Sequence, residues 1–130
     1  MLALGMIALF SALWGGILRL GLGFPHFLPD SAGLHGPLMI SGFLGTLIGL
    51  ERAVSLGKYW AYGVPILSGV GGLILLFGLS KETGALLLVL SSLILFLVFV
   101  DVYLLQPALY TLTMGIGALL WLAGNSLWFT

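Results

Sequence analysis

Residues 34–54 read LHGPLMISGFLGTLIGLERAV, and this stretch decides the fold. Between His35 and Glu51 it carries no charged side chain. Its apolar part approaches the length of about 20 residues that a helix needs to cross a bilayer. Backbone N–H and C=O groups must be paired inside lipid, so such a run spans as a helix. We therefore predict a membrane helix that begins near His35 and ends at Glu51 and Arg52.

The composition of the whole chain also indicates a membrane protein. The chain has 130 residues, of which 61% are hydrophobic and 6% charged, and its mean hydropathy is +1.25. Soluble domains carry about a quarter charged residues, so the solvent of this chain must be the lipid bilayer. A formal net charge of zero gives no reason to expect nucleic acid as a partner. The lack of cysteine excludes disulfides, thiolate metal sites and thiol catalysis.

Several apolar runs are long enough to span, and charged or turn-forming residues separate them. The period-two alternation of an outer-membrane barrel is absent from the sequence. Because the connections are short, consecutive helices should pack antiparallel. The sequence predicts an all-α, polytopic transmembrane helix bundle of about five spans in a single transmembrane domain, residues 1–130. The expected spans are residues 2–22, 34–50, 60–79, 84–105 and 108–130.

Lysine and arginine near the helix ends set the expected orientation. Arg52 and Lys58 lie between the second and third spans, and Lys81 lies between the third and fourth. This bias puts the N-terminus on the inner side of a cytoplasmic (inner) membrane and the loop 24–36 (FPHFLPDSAGLHG) outside. The last run stops at Thr130 without a polar flank. Either the C-terminus lies at the interface, or, as we favour, the chain is the N-terminal part of a longer bundle.

Charged side chains inside a span are costly and mark candidate functional positions. Arg19, near the outer end of the first span, either reaches the outer headgroups or acts as counter-ion to an anionic cofactor group. Asp101, near the inner end of the fourth span, is either an interfacial carboxylate or a proton relay, which would need a partner. Glu51 and Arg52 close the second span, either as an ion pair that anchors it or as a place where another subunit docks.

The chain has two histidines, His26 and His35, and both are candidate metal ligands. Met39 follows His35 by four residues and is expected on the same helical face. Histidine and methionine suit haem iron and Cu(I). Since one helix cannot hold both faces of a haem, this pair would instead share a copper ion with His26. The alternatives are an ordinary loop role for His26 and plain packing for Met39.

Glycines expose the backbone of the second span on one side. Gly36 removes a side chain beside the imidazole, and Gly42, Gly45 and Gly49 form a bare stripe further along. Such a stripe lets another helix approach closely, and it would equally admit a flat macrocycle. The third span has a similar stripe, which favours plain packing. Its members are Ser68, Gly69 and Gly72.

Together with the segment 12–25 (ALWGGILRLGLGFP), the stretch 34–54 resembles the first two helices of the haem–copper oxidase superfamily, and most of all its divergent NnrS-type relatives. There, helix one ends with an arginine near the outer face, and helix two opens with His–Gly, a nearby Met and a glycine-rich span. The resemblance implies that His35 is an axial haem ligand and that Arg19 is a basic partner of the haem propionates. It also implies electron transfer, or the handling of nitric oxide or oxygen.

The chain departs from the family pattern in its later part. It has fewer spans, and no histidine follows His35, so the family's copper ligands and second axial haem ligand are missing. The residues still support a haem- or copper-binding module, which a homo-oligomer or other membrane subunits would complete. Whether the protein is an enzyme is left open. The alternative is a non-enzymatic small membrane subunit that scaffolds or assembles a larger complex. A small transporter or channel ranks third, because the midplane offers only neutral hydroxyls.

Overall fold

The computed structural model describes residues 1–28, 30 and 32–130. In this part of the chain, five helices are long and apolar enough to cross a membrane. The all-α bundle of five spans predicted from the sequence is thereby confirmed. The helices are α1 (Leu2–Arg19), α2 (His35–Leu56), α3 (Tyr59–Leu76), α4 (Lys81–Leu105) and α5 (Leu109–Phe129).

The first four helices pack closely, and the fifth lies at the edge of the bundle. α1 contacts α2 and α3, while α4 contacts α2, α3 and α5. α5 packs mainly on α4, and only Thr111, Ala118 and Asn125 of its residues are buried. This arrangement leaves α5 separated from α2 over part of their length.

The second span runs past the boundary that its charges suggested. We expected it to end at Glu51 and Arg52, but the helix continues to Leu56. Gly57 ends it with φ at 67°, a left-handed conformation that glycine adopts without steric cost. The prediction was wrong because an ion pair between side chains does not break a helix, whereas a left-handed glycine does.

The fourth span begins earlier than predicted, at Lys81 instead of residue 84. Ser80 caps the helix, because its Oγ accepts a hydrogen bond from the backbone N–H of Thr83 at 3.2 Å. Glu82 lies in the first turn, where the helix dipole favours a negative charge. The polar residues that we assigned to the connection therefore form the first turn of α4.

The start of α2 is not a regular α-helix. The turn His35–Pro37 is α-helical, the segment Leu38–Leu44 is a π-helix, and α-helix resumes at Gly45–Leu56. π-helical turns are rare and occur frequently at functional sites. This π-helical segment begins three residues after His35. In an α-helix, a spacing of four residues places two side chains on one face, but that rule does not apply to His35 and Met39 here.

The glycine stripe of α2 serves helix packing. A Cβ on Gly72 of α3 would lie 3.3 Å from the Cα of Gly42. A Cβ on Gly45 would lie 2.9 Å from an indole carbon of α5, and one on Gly49 would lie 2.9 Å from the Cβ of Val64. The sequence left open whether the stripe admits a neighbouring helix or a flat macrocycle. The structure shows helix packing, because residues of neighbouring helices lie against these glycines.

Buried hydrogen bonds hold part of α5 against its neighbours. Ser41 Oγ donates to Asn125 Oδ1 at 3.0 Å, and Trp121 Nε1 donates to Ser41 Oγ at 3.2 Å. Asn125 Nδ2 donates in turn to the carbonyl oxygen of Leu88 at 3.3 Å. Polar side chains commonly form such hydrogen bonds between neighbouring helices within a membrane. The network ties α2, α4 and α5 together at one level of the bundle.

Candidate functional site

His35 lies on the first turn of α2, with its ring against α1. Its Nδ1 is 2.6 Å from the carbonyl oxygen of Ala12. A carbonyl oxygen can only accept, so Nδ1 carries a proton, and in the neutral imidazole Nε2 then has the lone pair. Within the described ranges no hydrogen bond reaches Nε2. The half-buried imidazole therefore has a defined tautomer and an unused ligand atom.

Gly16 of α1 makes room for this ring. A Cβ on Gly16 would lie 3.0 Å from Cε1 and 3.1 Å from Nδ1 of His35. By contrast, a Cβ on Gly36 would meet no atom of the described residues within 4 Å. The sequence drew attention to Gly36 because it adjoins the imidazole along the chain, but the glycine that matters lies across the helix interface. The Gly15–Gly16 pair in the middle of an apolar span was the available signal.

Arg19 lies at the same end of the bundle as His35. It follows Gly16 by three residues, and residues so spaced share a helix face about one turn apart. Its side chain is exposed, and it forms no ion pair with the residues that the structure describes. The two residues that the sequence linked to one cofactor thus lie on neighbouring helices at the same end of the bundle.

His26 and Met39 have other surroundings. His26 is exposed in the connection between α1 and α2. Met39 is half-buried and packs against an apolar cluster that includes Ala12 and Leu38. No group of three or more His, Cys, Asp or Glu residues in the described part of the chain is arranged to hold a metal ion. Packing accounts for Met39, and a copper site on His35, Met39 and His26 stays a prediction.

The other charged candidates form ion pairs at the opposite end of the bundle. Arg52 pairs with Glu51 through Nη2. Lys58 pairs with Asp101 through Nζ, so Asp101 does have the partner that the sequence did not identify. Partly exposed pairs of this kind contribute about 0–1 kcal/mol. They fit residues that lie where the helices leave the membrane.

A cleft of about 440 Å³ separates α5 from α2, with α4 at its back. Arg52 and Glu51 lie at one end of it, and His35 does not line it. The cleft is therefore distinct from the site around His35. Its apolar walls include Ile40, Leu44, Ile48, Phe99, Met114 and Trp121.

Comparison with known proteins gives a family but no activity. None of the curated proteins and none of the solved structures matches the chain. A family model described as a domain of unknown function (DUF8744) matches residues 1–130. Since the match extends over the full sequence, the chain belongs to the DUF8744 family.

Proposed function

We propose that this protein binds haem through Nε2 of His35 and acts in membrane electron transfer or in the handling of nitric oxide or oxygen. The supporting observation is the hydrogen bond from Nδ1 to the carbonyl oxygen of Ala12. A histidine that ligates a metal almost always donates its other N–H to a carbonyl, a carboxylate or water. Haem bound here would supply a one-electron redox centre and an iron that binds diatomic gases.

The set of available ligands favours haem over a metal ion held by side chains alone. Haem iron takes its equatorial ligands from the porphyrin, so one axial histidine is enough to hold it. A copper or zinc ion needs several side chains, and the described residues contain no suitable group of His, Cys, Asp and Glu. A single fixed imidazole therefore supports haem, for which one protein ligand is enough.

Arg19 suits the carboxylate groups of the same cofactor. It lies one turn beyond Gly16 along α1, and no carboxylate of the described residues pairs with it. A guanidinium binds a carboxylate through two parallel hydrogen bonds, which fixes orientation as well as distance. Arg19 would therefore position the haem, while His35 holds the iron.

The charges at the helix ends favour one orientation of the site in the membrane. The basic residues Arg52 and Lys58 at the far end of the bundle favour an inner location for that end, and hence an outer location for His35 in the cytoplasmic membrane. This chain offers no second histidine on a later helix. The remaining axial position is open to a diatomic gas, or it is filled by a second copy of the chain or by another membrane subunit.

A haem titration of the purified protein in detergent tests the proposal. We expect a Soret band that grows to saturation as haem is added. A preparation that stays colourless with excess haem would contradict it. That outcome would favour the non-enzymatic subunit that scaffolds a larger membrane complex.

Alanine in place of Gly16 should weaken haem binding by about 10- to 100-fold, the usual cost of disturbing the outer partner of a metal ligand. The added Cβ would lie 3.0 Å from Cε1 of His35, so the ring must move and the bond to Ala12 must lengthen. Haem titration measures the change. Gly36→Ala is the matched control, because its Cβ meets nothing within 4 Å. Equal haem affinity in the two variants would show that Gly16 does not position the ring.

A further inference from the structure

We propose that the cleft between α2, α4 and α5 binds one acyl chain of a membrane phospholipid, whose phosphate is held by Arg52. The cleft lies between membrane spans, and its walls are almost entirely apolar. A site at this depth must be filled by apolar groups, because polar groups without partners are costly in lipid. The acyl chain would lie along α2 from Ile40 to Arg52.

The size of the cleft suits a small apolar ligand. Its length along α2 is about 18 Å, at 1.5 Å per residue. The cleft has a volume of about 440 Å³. That volume falls within the range of about 300–1,000 Å³ for small-molecule sites. A single extended hydrocarbon chain matches this long, narrow, apolar shape.

Arg52 gives this site a polar end. One of its nitrogens, Nη2, donates to Glu51, but Nε is buried and has no hydrogen-bond partner among the residues that the structure describes. A buried donor without a partner is unfavourable, and the guanidinium has donors to spare after its pairing with Glu51. Arginine matches the geometry of phosphate oxygens. A phosphate at the mouth of the cleft would bind the terminal guanidinium donors of Arg52 that Glu51 leaves free, with its acyl chain aligned along the apolar walls.

The position of Arg52 along the helix agrees with this assignment. It lies four residues before the end of α2 at Leu56, or about 6 Å from it. Basic pockets between membrane helices near the interface are known lipid headgroup sites. Lys58, the neighbouring basic residue, is already paired with Asp101. Of these two basic residues, Arg52 lines the cleft and Lys58 does not.

Fluorescence quenching in detergent tests the site, because Trp121 lines the cleft. We would replace Trp14, Trp60 and Trp128 by phenylalanine and titrate the protein with brominated phosphatidylcholine or brominated diacylglycerol, which lacks the phosphate. Quenching of Trp121 should give an association constant about tenfold higher for the phospholipid, as expected for one charge-assisted hydrogen bond. Arg52→Gln should remove that preference, while Lys58→Gln should keep it. Equal binding of the two lipids by the parent protein would overturn the assignment of the phosphate to Arg52.

A second pair of variants tests whether the lipid occupies the cleft. A Cβ on either Gly117 or Gly124 of α5 would meet nothing within 4 Å, but only Gly117 lines the cleft. Gly117→Leu should fill the cleft and reduce quenching by both lipids at least about tenfold, and Gly124→Leu should leave it unchanged. Retained quenching in a folded Gly117→Leu protein, verified by circular dichroism, would show that the lipid binds elsewhere.

Discussion

Leucine in place of Gly49 is expected to lower the free energy of unfolding of the bundle by about 3 kcal/mol, the upper part of the usual range for overpacking. A Cβ alone at this position would lie 2.9 Å from the Cβ of Val64 and 3.1 Å from the Cδ of Pro65. Val64 is fully buried and Pro65 is held in its ring, so neither can move aside by changing rotamer. α2 and α3 would have to separate, and the buried contacts of Ala53 and Ala61 in the same cluster would weaken.

To measure this effect, the purified protein in mild detergent is unfolded with increasing amounts of a denaturing detergent. Circular dichroism monitors the loss of helix. Gly124→Leu is the matched control, because the same change there meets open space. Its effect should stay within about 0.5 kcal/mol, as for surface substitutions away from special features. Equal stability of the Gly49→Leu and Gly124→Leu proteins would contradict the close packing of α2 on α3.

Alanine in place of His35 is expected to abolish the Soret band, with haem affinity falling by more than about 100-fold. Disturbing only the outer partner of a metal ligand already costs about 10- to 100-fold, and this variant removes the ligand itself. The variant also loses the hydrogen bond to Ala12. Such bonds between membrane helices contribute on average about 0.6 kcal/mol, so the fold should persist.

Two observations separate ligation from a general structural effect. Circular dichroism of the His35→Ala protein should match that of the parent. His26→Ala should keep its full haem affinity, because His26 is exposed in the connection between α1 and α2. A Soret band that survives in His35→Ala but disappears in His26→Ala would assign the iron to the other histidine.

The spans could be predicted because each depends on a local property, the length of an apolar run. Their ends depend on single turns, such as the left-handed Gly57 after α2 and the Ser80 cap before α4. Charged side chains marked the end of the second apolar run but not the end of the helix. The pairing of Lys58 with Asp101 joins residues 43 positions apart, and it depends on how α4 is rotated against α2 and α3, which no local pattern contains.

For the candidate site too, the sequence could indicate only what depends on local features of the chain. The sequence brought His35 and Arg19 together because both flank one connection. It did not identify Ala12 or Gly16, since these are fixed by the register between α1 and α2. The π-helical turn has no simple sequence signal. The cleft depends on the edge position of α5, which follows from packing of the whole bundle.

The most direct test of ligation by His35 is pulsed electron paramagnetic resonance of the ferric haem-loaded protein. The protein would carry His26→Ala and histidine labelled with the heavy isotope of nitrogen, so that His35 is its single labelled residue. A strong hyperfine coupling between the iron and the labelled nitrogen is expected if Nε2 of His35 is the axial ligand. A haem-loaded protein without that coupling would contradict haem binding through His35.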